Sequence, residues 1–254
     1  YYKAHRQDYI YALQHAGRLK EPKEPDKNWV QFGSEVYDIT TGNKFQVDPK
    51  FFFVNVLPFF PSDDPNVPVM DQLFTEWVGE KNKTVLYEWI AYCCYRKYPI
   101  QVALALIGSG ANGKTKFQEL CLNFLGKDNV VSADMKDLFS NRFATFRLHK
   151  KLVCQMGETD FKQIENTANF KKLTGSDLIN FEQKFKVSFD DYSYCKIVIN
   201  SNSLPFSEDN GNAYYRRWNI VDFPNTFQEG NDHLLRIPEK EWHNLSKKCL
   251  MILP

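Results

Sequence analysis

Long apolar runs are missing from this 254-residue chain. The two longest, Phe51 to Phe60 and Gln101 to Ile107, are broken by Asn55 and Pro58 or stop at a glycine. Both fall well short of the ~20 residues a membrane helix requires, so each reads as a buried strand and no membrane partner is expected. Net charge is missing too: 32 Lys and Arg offset 31 Asp and Glu to leave +1. Any polyanion must therefore be held by local clusters rather than by the field of the whole molecule. The six cysteines, Cys93, Cys94, Cys121, Cys154, Cys195 and Cys249, lack CxxC and Cys/His ligand spacing. That pattern suits buried free thiols in a reducing compartment. Signal-peptide pattern, internal repeat and low-complexity tract are all absent. The chain opens on Tyr1 rather than Met and ends in the apolar Leu250 to Pro254, as expected of a piece cut from a longer polypeptide.

What is present is an ordinary globular composition, 43% apolar, 25% charged and 15% aromatic. A chain of this length buries roughly 73% of its extended surface, enough for one sizeable core. After a short helical start, the charged and proline-punctuated Glu21 to Asp26 reads as a linker or exposed turn. Trp29 to Phe60 reads as short strands with a turn at Thr41 and Gly42, a small accessory β layer. Two amphipathic helices, Val69 to Val78 and Thr84 to Tyr98, form a helical collar. From Gln101 apolar runs alternate with amphipathic stretches, the signature of an α/β sheet with helices on its faces. Strands are expected at Val102 to Ile107, Val130 to Ser132, Lys151 to Met156, Lys196 to Asn200 and Trp218 to Val221. Helices are expected at Gly113 to Leu125, Met135 to Phe143 and Gln163 to Leu173, with a hairpin over Leu178 to Phe189. The implied division is an accessory region (1–67), the collar (68–99), an α/β core (100–226) and a truncated C-terminal helical extension (227–254).

The string Gly108-Ser109-Gly110-Ala111-Asn112-Gly113-Lys114-Thr115 follows an apolar strand and opens an amphipathic helix, the setting a Walker A loop requires. Its glycines let successive N–H groups face phosphates at a helix N-terminus. Lys114 reaches the β and γ phosphates of ATP, and Thr115 offers its hydroxyl to Mg²⁺. Such a loop needs an acid at the end of a neighbouring strand, and Glu158 and Asp160 stand where the run from Leu152 stops. One carboxylate would hold the Mg²⁺ shell and the other assist the attacking water. Gln155 is out of place in that strand and faces either the site or a neighbouring element. A third strand runs into Ser201-Asn202-Ser203-Leu204-Pro205, which makes Asn202 the candidate sensor of the γ-phosphate and its water.

This order of signals resembles superfamily 3 helicases, in particular the phage, plasmid and poxvirus type of primase-helicase. The resemblance rests on the compact motif spacing, Lys171-Lys-Leu-Thr-Gly175-Ser-Asp177, Asn202-Ser-Leu-Pro205, and Tyr215-Arg216-Arg217-Trp218 before a last strand. It spans Trp29 to Phe223 and is most specific from Gly108 onward. It implies an AAA+-like P-loop ATPase core, a largely parallel sheet flanked by helices, that assembles as a homo-hexameric ring and travels 3′ to 5′ on single-stranded DNA. In such a ring ATP sits between subunits and an arginine from the neighbour stabilises the transferred phosphoryl group, with Arg216 the first choice and Arg217 the reserve. The DNA contact is expected on the hairpin after Asp177, through Phe181, Lys184, Phe185 and Lys186, with Lys171 and Lys172 contributing. The implied setting is intracellular, in the cytoplasm of the host of a virus, phage or plasmid. Primase activity often shares a polypeptide with this helicase type; its carboxylate pattern is not found here, so only the motor is assigned. The rival readings are a P-loop kinase or switch NTPase with arginines acting in cis, and a hexamerisation scaffold of a replication protein.

Overall fold

The computed structural model describes residues 23–158, 167–203, 212–228 and 233–253. Strands β1 (Trp29–Phe32) and β2 (Glu35–Asp38) pair antiparallel, β3 (Lys44–Gln46) extends the pair, and β4 (Val56–Leu57) joins β1 in parallel. The expected turn joins β2 to β3: Asp38 accepts the Thr40 N–H at 2.9 Å on its carboxylate and the Gly42 N–H at 2.8 Å on its carbonyl. Two expectations change here. The run from Phe51 to Phe60 keeps only the two residues of β4, because the Asn55 amide turns away to donate to Asn129 Oδ1 (2.9 Å) and the Lys150 carbonyl (3.0 Å). The described part of the supposed linker is fastened down: Lys23 exchanges backbone bonds with Lys50 and Phe52, and the Arg96 guanidinium takes the carbonyls of Pro25, Asp26 and Trp29.

The collar follows as α1 (Pro68–Val78) and α2 (Lys83–Cys93). Helix α2 stops five residues before the expected Tyr98. The chain turns off there so that the carbonyls of Tyr95 and Lys97 receive the fully buried ammonium of Lys196, with Lys97 O at 2.9 Å and the Tyr92 ring at 4.8 Å. Burial pulls the Lys196 ammonium down to about 8.

The main unit runs β5 (Ala103–Ile107), α3 (Lys114–Leu125), β6 (Val130–Ser132), α4 (Met135–Ser140), β7 (Val153–Glu158) and α5 (Thr167–Leu173). A hairpin of β8 (Leu178–Phe181) and β9 (Phe189–Tyr192) is followed by β10 (Lys196–Ser201), α6 (Asn212–Tyr215), β11 (Trp218–Asp222) and α7 (Glu239–Ile252). Five strands form a wholly parallel sheet in the order β11-β5-β10-β7-β6, the α/β arrangement expected. Strand alternation divides the core in two. Leu104, Leu106, Val198 and Val221 face α1, α2, α3 and α7 in one cluster with Phe32, Phe74 and Phe124. Ala103, Ala105, Met156 and Ile199 face α5 and the hairpin in the other, with Phe170 and Phe181. The β layer and collar thus share a core with one face of the sheet.

The C-terminal helix supplies what α1 lacks. No side chain caps α1 from its own N-terminus, and its second and third residues, Val69 and Met70, give their N–H groups to the buried Glu241 carboxylate, both at 2.9 Å. A carboxylate there meets orphan donors and the positive end of the helix dipole together. The six cysteines are free and buried, as their spacing suggested, and burial pushes Cys154 up to about 12. Among the described residues no helix is long and apolar enough to cross a membrane.

Candidate functional site

A cleft of about 740 Å³ lies at the C-terminal ends of β5 and β10. Ser109, Gly110, Ala111, Asn112, Gly113, Lys114 and Thr115 all line it. Gly113 takes φ 93° just before α3, and an added Cβ would lie 2.7 Å from Trp77 of α1. Only glycine fits that turn. Gly108 is held as closely: a Cβ there would sit 1.9 Å from Asn112 Nδ2. No side chain caps the N-terminus of α3, and the positive end of its dipole meets the cleft that Gly113, Lys114 and Thr115 line. Lys114 donates to the Gly108 carbonyl at 2.5 Å and to Asn112 Oδ1 at 3.0 Å, which holds its ammonium over the loop. Asn112 in turn donates to the Phe223 carbonyl at 3.2 Å, and Phe227 gives its N–H to Ala111 at 2.7 Å, so the chain beyond β11 closes over the loop.

Strand β10 lies between the loop strand β5 and the acid-bearing β7, so the two are not neighbours as the sequence suggested. The intervening strand brings its own amide, which the sequence reading overlooked. Asn200 is 6% exposed, lines the cleft and donates Nδ2 to Gln118 Oε1 at 3.2 Å, while its Oδ1 has no partner among the described residues. A buried acceptor without a donor costs free energy unless something fills it, and a water or hydroxyl in the cleft would do so. Gln118 lies one turn after Lys114, on the same face of α3. It also donates to the Met156 carbonyl at 3.0 Å and accepts from Gln155 at 2.6 Å. Gln155 therefore faces α3. Pairing of β10 with β7 skips a residue, Ile199 opposite Met156 and Asn200 opposite Glu158, leaving Gly157 as a bulge beside the cleft. A glycine inside a strand pattern was the signal available for it.

Glu158 ends β7 level with Asn200. Asp160 lies outside the described residues. Asn202 lines the same cleft and Thr115 begins its first helical turn. Arg216 and Arg217 are elsewhere. They precede β11, whose far end is level with Ile107, so roughly 15 Å of strand separates them from their own loop. They also differ from one another. Arg217 is 7% exposed, bonds the Ala213 carbonyl and Gln101 within its own chain, and burial lowers it. Arg216 is exposed and touches Gln101 Oε1 at 3.2 Å.

The hairpin carries Lys184, Phe185 and Lys186 at its tip, all exposed, with Phe185 at 104%. Phe181 departs from the expectation that it projects. Its ring is fully buried against His149 and Phe189, because alternation turns it toward the core while Leu178 and Asn180 face outward. Lys171 and Lys172 end α5, and Lys172 lines a shallow cavity with Asn180 at the hairpin's flank. Among the described residues no three His, Cys, Asp or Glu side chains gather to hold a metal alone. Magnesium with few protein ligands and substrate phosphates is compatible with the donors present.

Residues 106–217 match a family described as a family of unknown function (DUF5906). Solved structures of the NrS-1 C-terminal region have a similar fold. The A form apo structure aligns with TM-score 0.59 at 17% identity, covering 92% of this chain and 53% of that one. An apo structure of the same region (305–718) gives 0.55 at 16%, covering 92% and 53%. An A form structure of that span gives 0.56 at 16%, covering 99% and 59%. At such identity the likeness is one of fold, and the chain spans about half the length of the structures it matches.

Proposed function

We propose that this chain is the ATP-hydrolysing motor of a replicative DNA helicase, of the superfamily 3 type. It works as a homo-hexameric ring that travels 3′ to 5′ on single-stranded DNA inside the host cell of a virus, phage or plasmid. A primase domain on the same full-length polypeptide is its natural companion. The observation that carries the reading is the cleft, where an uncapped helix start, Lys114 and the unpartnered Asn200 Oδ1 converge. The loop from Gly108 to Thr115 binds the phosphates of ATP through backbone N–H groups and the ammonium. Thr115 and Glu158 hold Mg²⁺, which neutralises charge on the phosphate oxygens. Asn200 and Asn202 orient the attacking water, with Glu158 or Asp160 polarising it.

Arg216 completes the site of the neighbouring subunit. Its distance from its own loop and its exposure support action in trans, whereas Arg217 braces its own chain. The exposed hairpin tip supplies the DNA contact, six copies of Lys184 and Lys186 ringing the channel, with Phe185 against sugar or base. That local concentration explains how a chain of net charge +1 grips a polyanion. The test is steady-state ATP hydrolysis with and without single-stranded DNA at two salt concentrations, for wild type and Lys114→Ala. Salt-sensitive stimulation that vanishes in the variant is the expected result. Turnover indifferent to DNA would remove the helicase reading, and unchanged turnover in Lys114→Ala would remove the P-loop assignment.

A further inference from the structure

A second cleft, about 260 Å³, opens at the base of the same hairpin, away from the nucleotide cleft. Two separate elements put three cations into it: Lys27 from the turn before β1, and Arg96 and Lys97 from the connection between α2 and β5. Among the described residues no acidic side chain lines it. The carboxylates of Glu24 and Asp26 act on Arg96 electrostatically, but both are engaged: Glu24 pairs with Lys150 at 3.5 Å, and Asp26 accepts the Asn28 N–H at 2.8 Å. The guanidinium is fixed in advance. Its Nη2 alone is bonded, to three backbone carbonyls, and its plane lies 5.9 Å from the Phe53 ring, which leaves Nη1 and Nε as open donors among the described residues. Lys97 is held by Asn28 Oδ1 at 2.8 Å.

The wall opposite is the end of β9. Tyr192 is 54% exposed, with the Lys27 ammonium 5.8 Å from its ring centre, and the Ser193 hydroxyl stands beside it. Tyr192 pairs across the hairpin with Leu178, itself 54% exposed, and Asn180 pairs with Asp190 on the same outward face. That face leads to the tip. Its carboxylates are engaged: Asp190 accepts the Asn180 amide at 2.9 Å, and Glu182, just beyond β8, pairs with Arg142 at 3.2 Å. From Tyr192 to Phe185 is roughly 20 Å of extended chain, about the length of six nucleotides at duplex rise. A cation-lined hollow with an exposed aromatic, continuous with a cationic tip, is the arrangement that tracks a single strand.

We propose that this cleft is a second contact for single-stranded nucleic acid, in which Lys27, Arg96 and Lys97 hold a backbone phosphate and the Tyr192 ring stacks a base. The inference rests on the reading that the hairpin tip binds DNA, and adds a distinct foothold one strand-length away.

The experiment is equilibrium binding of a labelled 30-nucleotide single strand across a salt series, without ATP, for four variants of the chain. Lys27→Glu and Tyr192→Leu probe the cleft, Lys27→Ala/Lys97→Ala probes its charge, and Lys184→Ala/Lys186→Ala probes the tip. Thermal unfolding of each variant accompanies binding, and because Lys97 is bonded to Asn28, Lys27→Glu is decisive if the double variant melts early. Tyr192→Leu is expected to weaken binding about tenfold, as loss of one stacked base does. The Lys27/Lys97 variant is expected to lower the salt slope by about 1 to 2. Cleft variants that bind like wild type while the tip variant weakens would overturn this inference and leave the hairpin reading intact. If neither set alters binding, both fail. Cleft variants that lose inorganic phosphate binding but keep the strand would likewise overturn it, identifying a free-anion site.

Discussion

The two ends of the central sheet carry opposite chemistry. At the C-terminal end, neutral amides of Asn112, Gln118, Asn200 and Asn202 line one cleft with the Lys114 ammonium, beside an uncapped helix start. At the N-terminal end gather Lys196, Arg216, Arg217, Arg96 and Lys97, several bonded to backbone carbonyls. Parallel topology produces this asymmetry. A helix following a strand points its N–H groups at the strand's C-terminal end, where an anion is stabilised, and carbonyl-rich turns collect at the other end, where cations are. On the function proposed, one end serves a nucleotide held by this chain, and the other serves groups outside it, a neighbouring subunit and a nucleic-acid strand.

The comparison is tested hardest by Arg216→Ala, expected to cut turnover by about 10³-fold or more while nucleotide binding persists. Mixing it with a Glu158→Gln variant should restore part of the activity if sites are shared between subunits; absence of rescue would bring the two ends back to separate jobs. Within the cleft, Asn200→Ala should lower turnover by about 10²-fold with little change in nucleotide affinity, since it removes the acceptor aimed at the reacting water. Equal turnover in wild type and variant would return that role to Asn202 alone.

Smaller effects separate support from chemistry. Glu241→Ala strands two buried N–H groups at the start of α1 and should cost about 1 to 3 kcal/mol in chemical denaturation. Because Trp77 of that helix packs beneath Gly113, ATP affinity should fall as well. The least is a pH slope from Lys196. Its folded value, about 8, lies below the 10.5 of an exposed lysine, so between these the unfolded chain binds more protons and stability rises with pH. The slope is at most about 1.4 kcal/mol per pH unit. Lys196→Met should flatten it, and an unchanged slope would show that the ammonium is not the group responsible.

Much of this was legible from the text of the chain. The loop from Gly108 to Thr115 fell where its strand and helix placed it, because that motif is local: a turn between neighbours in sequence. The five sheet strands were legible as apolar runs, with ends displaced by at most two residues, and the hairpin from its alternation, its second strand ending three residues later at Tyr192. What escaped were pairings over long separations. Asn200 reads as one more polar residue at a strand end until β10 is seen to run between β5 and β7, and Gln118 reads as an ordinary helix glutamine. The difference between adjacent Arg216 and Arg217 is invisible in sequence, since both precede the same strand and only packing buries one. Phe181 misled because its aromatic character suits a projecting hairpin and a core equally.

The sequence by itself determined the glycine-rich loop from Gly108 to Thr115, the α/β alternation and the cationic tip, because each is written in residues within one turn or one strand of each other. Strand order, the buried Lys196, the cap that Glu241 lends to α1 and the cleft joining Lys27 to Tyr192 were decided only by the tertiary structure. Each depends on groups far apart along the chain, which meet only when burial of the two core faces fixes which elements lie side by side.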